Sequence, residues 1–150
     1  MSAAPYPIKT EDELVFSFVS EGPRGRIKKV VKYQEFSPGY FNLAFGDQVQ
    51  NGGSTAIDDK ASSDNGDMKK VLATVISTLE LFFEKRPECA VLFKGSTPGR
   101  TLLYHRIIKN YRHLFGEALY IYGGTEEILI QTFFPEKEYQ FFWVAKFPLI

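Results

Sequence analysis

A single cysteine, Cys89, stands in a chain of 150 residues, and one thiol closes no internal disulfide. No stretch approaches eighteen consecutive apolar residues, which excludes a bilayer-spanning helix. The opening, M-S-A-A-P-Y-P-I-K, lacks a basic start followed by an apolar run, so no secretory signal is expected. Together with the lone thiol, that points to a reducing cytoplasm. Charge of one sign is also missing: eighteen basic and eighteen acidic residues cancel to zero. That balance argues against a surface given over wholly to nucleic acid or membrane, while leaving room for local basic patches. Histidine occurs only at 105 and 113. On one helix those positions are separated by a rise of about 12 Å, too far for one metal ion to bridge. The four aspartates of D-D-K-A-S-S-D-N-G-D (58–67) do not have the spacing of a calcium loop. No metal site and no cofactor is implied.

What the chain does have is aromatic mass. Fourteen Phe, eight Tyr and one Trp within a 44% hydrophobic composition can fill a core without disulfides. The length suits one domain, 1–150.

Residues 13–20 alternate, with Leu14, Phe16 and Phe18 opposite Val15, Ser17 and Val19, which predicts a strand. A Pro/Gly turn at 21–25 leads into a returning strand over 27–36, in which Ile27, Val31 and Tyr33 share a side with Lys29. After Ser37-Pro38-Gly39, residues 40–45 align Phe41, Leu43 and Phe45 as a third strand. Residues 46–66, rich in Gly, Ser, Asp and Asn, read as a long polar loop.

The clearest helix spans 67–86. Met68, Val71, Leu72, Val75, Ile76, Leu79, Phe82 and Phe83 fall in one arc, Asp67 or Asn65 can cap the start, and Pro87 ends it. The wholly apolar run at 89–93 predicts a central strand covered on both faces, with Cys89 as a buried small hydrophobe. A second helix is expected over 97–115, then strands at 119–122, 127–134 and 138–147. The order is β-β-β-α-β-α-β-β-β. That predicts an α+β fold: a mixed, mostly antiparallel sheet with two helices packed on it.

One segment resembles binding chemistry. F-K-G-S-T-P-G-R-T (93–101) runs from an apolar strand through Gly and hydroxyl residues into a helix. Such a junction leaves free backbone N–H groups and the positive end of the helix dipole at one spot. Ser96 and Thr97 add hydroxyls, and Arg100 adds a planar bidentate cation. The spacing is one residue short of a P-loop, with Arg100 where that motif has lysine, and no later strand ends in a magnesium-binding aspartate. The plain alternative is a capped helix start, with Ser96 or Thr97 as cap and Pro98 as the first helical residue.

Arg100 projects into the apolar arc of Leu103, Ile107 and Tyr111, in a first turn where the dipole disfavours a cation. It therefore needs a negative partner: an internal carboxylate such as Asp47, Asp67 or Glu80, or an anionic ligand. Tyr104, one turn on, can line such a pocket, and Asp47 or Asp67 can orient Arg100.

Two basic clusters stand out: Arg24, Arg26, Lys28, Lys29 and Lys32 on the second strand, and His105, Arg106, Lys109, Arg112 and His113 on the second helix. Either can be a solvated face, or can meet nucleic acid phosphates or an acidic partner.

The motifs N-L-A-F-G-D (42–47), N-G-D-x-x-K-V-L-A-T-V (65–75) and F-K-G-S-T-P-x-R-T-x-L-Y (93–104), with G-P-R-G-R-I-x-K-V-V-x-Y at 22–33, resemble a family of small bacterial proteins known only as a domain of unknown function. The likeness covers most of the chain. It implies a bacterial, stand-alone cytoplasmic domain, and it supplies no activity, substrate or catalytic residue.

The leading expectation is a binding module for a small phosphate- or carboxylate-bearing ligand at Ser96, Thr97, Arg100 and Tyr104. A second is a homodimer or protein-interaction domain, because both sides of the last strand are apolar: Phe142 and Val144 opposite Tyr139, Phe141 and Trp143. A third is nucleic-acid binding through Lys28, Lys29, Lys32, Arg106 and Lys109. No acid, base or nucleophile can be named, so an enzyme ranks last.

Overall fold

The computed structural model describes residues 4–51, 54–58, 66–95, 98–115 and 119–150. They form the expected α+β arrangement: two helices and a mixed, mostly antiparallel sheet. The chain divides into two compact units, Met1–Gln34 with Leu43–Phe82, and Glu35–Asn42 with Phe83–Ile150. Among the described residues no helix is long and apolar enough to cross a membrane.

The first unit is built on a meander. Strand β1 (Lys9–Thr10) pairs with β2 (Val15–Gly22), and β2 pairs antiparallel with β3 (Gly25–Ser37) from Val15↔Lys32 to Gly22↔Gly25. Gly25 takes φ 89°, a left-handed conformation that a side chain would strain, and this allows the tight reversal after Pro23-Arg24. β4 (Tyr40–Asn51) runs six residues beyond the expected strand end and pairs with β5 (Ser54–Asp58). The polar stretch expected to loop over 46–66 is therefore partly a hairpin. Asn-Gly-Gly-Ser at 51–54 is the sequence signal for it, because a two-residue glycine connection suits a hairpin between Asn51 and its partner Ser54. Residues 59–65 lie outside the described residues.

Helix α1 (Met68–Lys85) covers one face of this meander. The carbonyl of Asp67 accepts the first intrahelical bond from Val71 N–H (2.9 Å), so Asp67 is the cap. The apolar arc is displaced from the one expected. Thr74 and Thr78 are fully buried, whereas Leu72 and Val75 are only half-buried. Both hydroxyls are satisfied. Thr74 Oγ1 donates to Lys70 O (2.7 Å) and accepts Tyr6 N–H (2.8 Å); Thr78 Oγ1 donates to Val75 O (2.7 Å) and shares a bond with Tyr33 Oη (2.8 Å). Phe82 stacks on the Tyr33 ring with centroids 4.5 Å apart. Burial of each such aromatic contributes about 1.5–3 kcal/mol.

The second unit centres on β6 (Ala90–Phe93). It pairs parallel with the start of β4 (Tyr40↔Ala90 to Asn42↔Leu92) and antiparallel with β9 (Phe141–Ala145). β9 pairs with β7 (Tyr120–Gly124), which carries the two-residue β8 (Gln131–Thr132). Cys89 is buried and the apolar run sits centrally, as its two-sided hydrophobicity requires. The strands expected over 127–134 and 138–147 are shorter, because turns at 125–130 and 133–140 claim their ends.

Helix α2 (Pro98–Tyr111) continues as a 3-10 turn, Arg112–Phe115, and buries Ile108 against Phe133, Tyr139 and Phe142. Strand neighbours follow β1-β2-β3-β4-β6-β9-β7-β8, with β5 on β4.

Candidate functional site

The strand–loop–helix junction read from the sequence is present. Phe93 ends β6, Lys94 and Gly95 follow, and Pro98 opens α2. Proline is at home there, since its missing N–H is one the first helical turn would leave unused. No carboxylate lies in the first turn of α2, so nothing acidic within the helix offsets its positive end. Gly95 is buried, and its N–H donates to Thr101 Oγ1 at 3.0 Å, which fixes the entry of the loop to the helix it feeds. Thr101, itself buried, was not among the expected residues. A hydroxyl one turn into a helix that follows a glycine loop was the available signal.

Ser96 and Thr97, the two expected hydroxyl ligands, lie outside the described residues. Arg100 belongs to the first turn of α2, but its side chain lies outside them too, as does its expected pairing with Asp47 or Asp67. Tyr104 is half-buried and sets its ring edge-on to Phe93, with centroids 6.1 Å apart at 66°.

Both supporting carboxylates are engaged within the first unit. Asp47 accepts a 2.5 Å hydrogen bond from Lys29 Nζ. Asp67 accepts from Tyr6 Oη (2.6 Å) and Ser20 Oγ (2.5 Å) on the same oxygen, Oδ2. Burial, and then the bond to Asp67, push the Tyr6 phenol above its ordinary pKa. An anionic carboxylate at the start of α1 also complements that helix's dipole.

The basic clusters need two corrections. Lys29 is not surface: its side chain is 4% exposed. The alternation that places Ile27, Val31 and Tyr33 inward carries Lys29 with them, and Asp47 and the face of Phe45 (5.9 Å) receive its ammonium. His105 is not on the solvated face of α2 either: it is 8% exposed. Its ring stacks on Tyr139 (5.7 Å, 20°) and packs against Phe133 and Phe142. Its Nε2 donates to Pro135 O (2.9 Å), since a carbonyl only accepts, and Nδ1 is the other ring nitrogen. That Nδ1 is buried with no partner among the described residues. The segment 133–140 covers this face, a contact invisible to the periodicity of the helix alone.

Lys28, Lys32, Arg106 and Lys109 are exposed, as are Arg112 and His113. Arg26 pairs across the strand with Glu21 at 3.4 Å in open solvent, an interaction of small energetic weight. Among the described residues no three His, Cys, Asp or Glu side chains converge on a point where a metal ion would sit.

The family described as "Family of unknown function (DUF6934)" matches residues 2–147. No curated protein matches the chain. No solved structure matches it.

Proposed function

The chain belongs to the family of unknown function DUF6934, which brings no activity with it, and from its own geometry we propose a binding module for a small anion at the junction of β6 and α2. The observation that carries the reading is the placement of that junction. A central strand delivers a short glycine loop to the positive end of a fourteen-residue helix with no carboxylate in its first turn. The Gly95–Thr101 hydrogen bond supports it, because tying the entry of the loop to the helix lowers the entropy lost on closing around a ligand. In this reading the backbone N–H groups and hydroxyls of Ser96 and Thr97 hold the phosphate or carboxylate. Arg100 supplies the forked cation, and Tyr104 lines one side. Asp47 and Asp67, already committed to Lys29, Tyr6 and Ser20, have other work to do. The free, buried thiol of Cys89 suits a reducing cytoplasm.

The test is a titration of the isotope-labelled chain with inorganic phosphate and with acetate, followed on the backbone amides. Saturable shifts at Gly95, Thr101 and their neighbours are expected with one of the two anions, and their loss in Arg100→Ala at unchanged thermal stability. A large fall in melting temperature for Arg100→Ala, without saturable shifts in the wild type, overturns the reading in favour of an internal ion pair.

A further inference from the structure

In the second unit, register places two cross-strand rows on one face of β4-β6-β9-β7. The first is Tyr40, Ala90, Ala145 and Tyr120; the next is Asn42, Leu92, Trp143 and Tyr122. The opposite face, with Phe93, Phe142 and Ile121, is the one packed against α2. Among the described residues, the partly buried hydrophobics packed on the Ala90–Tyr122–Trp143–Ala145 cluster of the first face come from no helix. Two short segments stand there instead. Trp143 Nε1–H donates to Leu129 O (3.0 Å), and Leu149 N–H donates to Tyr122 Oη (3.1 Å). These segments pack Ile130 and Leu149 onto the Ala90–Tyr122–Trp143–Ala145 cluster. They also leave Leu129 63% and Ile150 67% exposed. Phe36, Tyr40 and Tyr120 are exposed beside them, and ring contacts join Phe36 to Tyr40 (6.4 Å) and Tyr40 to Trp143 (5.8 Å).

We propose that this face is the interface of a homodimer, a second copy of the chain being its occupant. Area supports that choice. Five large apolar side chains, each leaving on the order of 100 Å² outside, offer about 500 Å² before backbone and rim atoms are added. A standard interface buries roughly 800 Å² per partner.

Charge supports it as well. Lys146 follows Ala145 at one end of β9, where Tyr120 begins β7, and Glu126 and Glu127 follow Gly124 at the other end. A two-fold axis lying between the faces and running across the strands sets the lysine end of each copy against the glutamate end of the other. The same attraction is then made twice in one isologous contact. Zero net charge leaves no overall repulsion to oppose it. This interface lies apart from Ser96, Thr97 and Arg100 in sequence and uses none of them, so it stands independently of the anion reading.

The experiment is sedimentation velocity, with light scattering on a sizing column, across micromolar to submillimolar concentrations of the full chain. A dimer that dissociates on dilution is expected. Tyr120→Glu and Leu129→Lys, both at exposed positions, should weaken it about tenfold or more, whereas Arg106→Glu on α2 should leave it unchanged. Lys146→Glu should weaken it, and adding Glu127→Lys should restore it. A monomer throughout the range overturns the proposal. So does a dimer that Tyr120→Glu and Leu129→Lys leave intact while melting curves show the variants folded.

Discussion

Lys29 Nζ and Asp47 Oδ1 meet at 2.5 Å inside the first unit, with side chains 4% and 16% exposed, on strands β3 and β4. A lysine in the midst of an apolar sheet face is tolerable only because the carboxylate answers it. Asp47→Ala leaves the ammonium buried and uncompensated, and should cost about 3–5 kcal/mol. Replacing both partners with apolar residues, Lys29→Met with Asp47→Leu, should recover most of that loss. Urea unfolding of the wild type and the two variants checks it; a double variant no more stable than Asp47→Ala contradicts the account.

Alkaline pH should unfold the protein in a way traceable to Tyr6, whose phenol is raised by burial and by Asp67, and to two further groups. Burial pushes the Tyr33 phenol well above its ordinary value of 10.0, and burial, followed by the charge of Glu88, pushes the Cys89 thiol above 9.0. Each ionises more readily in the unfolded chain than in the folded one. Their contribution is therefore whole below those ordinary values and is lost as pH rises from there toward the folded values. Stability should hold between pH 7 and 8 and fall progressively above about 9. Tyr33→Phe should flatten the upper part of that fall at a cost of about 1 kcal/mol for the lost Thr78 hydrogen bond. Thermal melts at a series of pH values give the comparison.

Thr101→Val removes the acceptor of the Gly95 N–H while keeping the shape of the side chain. It should destabilise the unit by about 1–3 kcal/mol, since the buried N–H is left unsatisfied. It should also weaken anion binding in the phosphate and acetate titration. Unchanged affinity would separate the Gly95–Thr101 bond from any role in recognition.

Gly123 leaves no room for a side chain. A Cβ built there falls within the Tyr139 ring, which in turn stacks against His105. Tyr139 Oη also accepts Phe134 N–H (2.8 Å) and donates to Thr132 O (3.2 Å), so the ring cannot swing away cheaply. Gly123→Ala should cost about 1–3 kcal/mol through overpacking. Amide exchange should show the segment 133–140 loosening first.

Much of the fold follows from local pattern. Alternation at 13–36 yields β2 and β3, the apolar arc at 67–86 yields α1, and a run apolar on both sides yields β6 as an interior strand between β4 and β9. These survive translation into structure because the backbone step, two residues in a strand and 3.6 in a helix, sets which side chains share a face. The junction at 93–98 was legible for the same reason: Gly and Pro mark where a strand stops and a helix starts.

Tertiary structure alone decided which polar groups go inside. Thr74 and Thr78 replace Leu72 and Val75 on the buried face of α1 because Tyr6 and Tyr33 arrive to bond them. His105 leaves the basic face of its helix because the segment carrying Pro135 and Tyr139 folds over it. Lys29 is neutralised by Asp47, eighteen positions away in the chain and adjacent only in space. The period of an element says where a side chain points. Whether a polar one stays there depends on a partner from a distant segment, because an unpaired polar group loses more in leaving water than its own helix or strand returns.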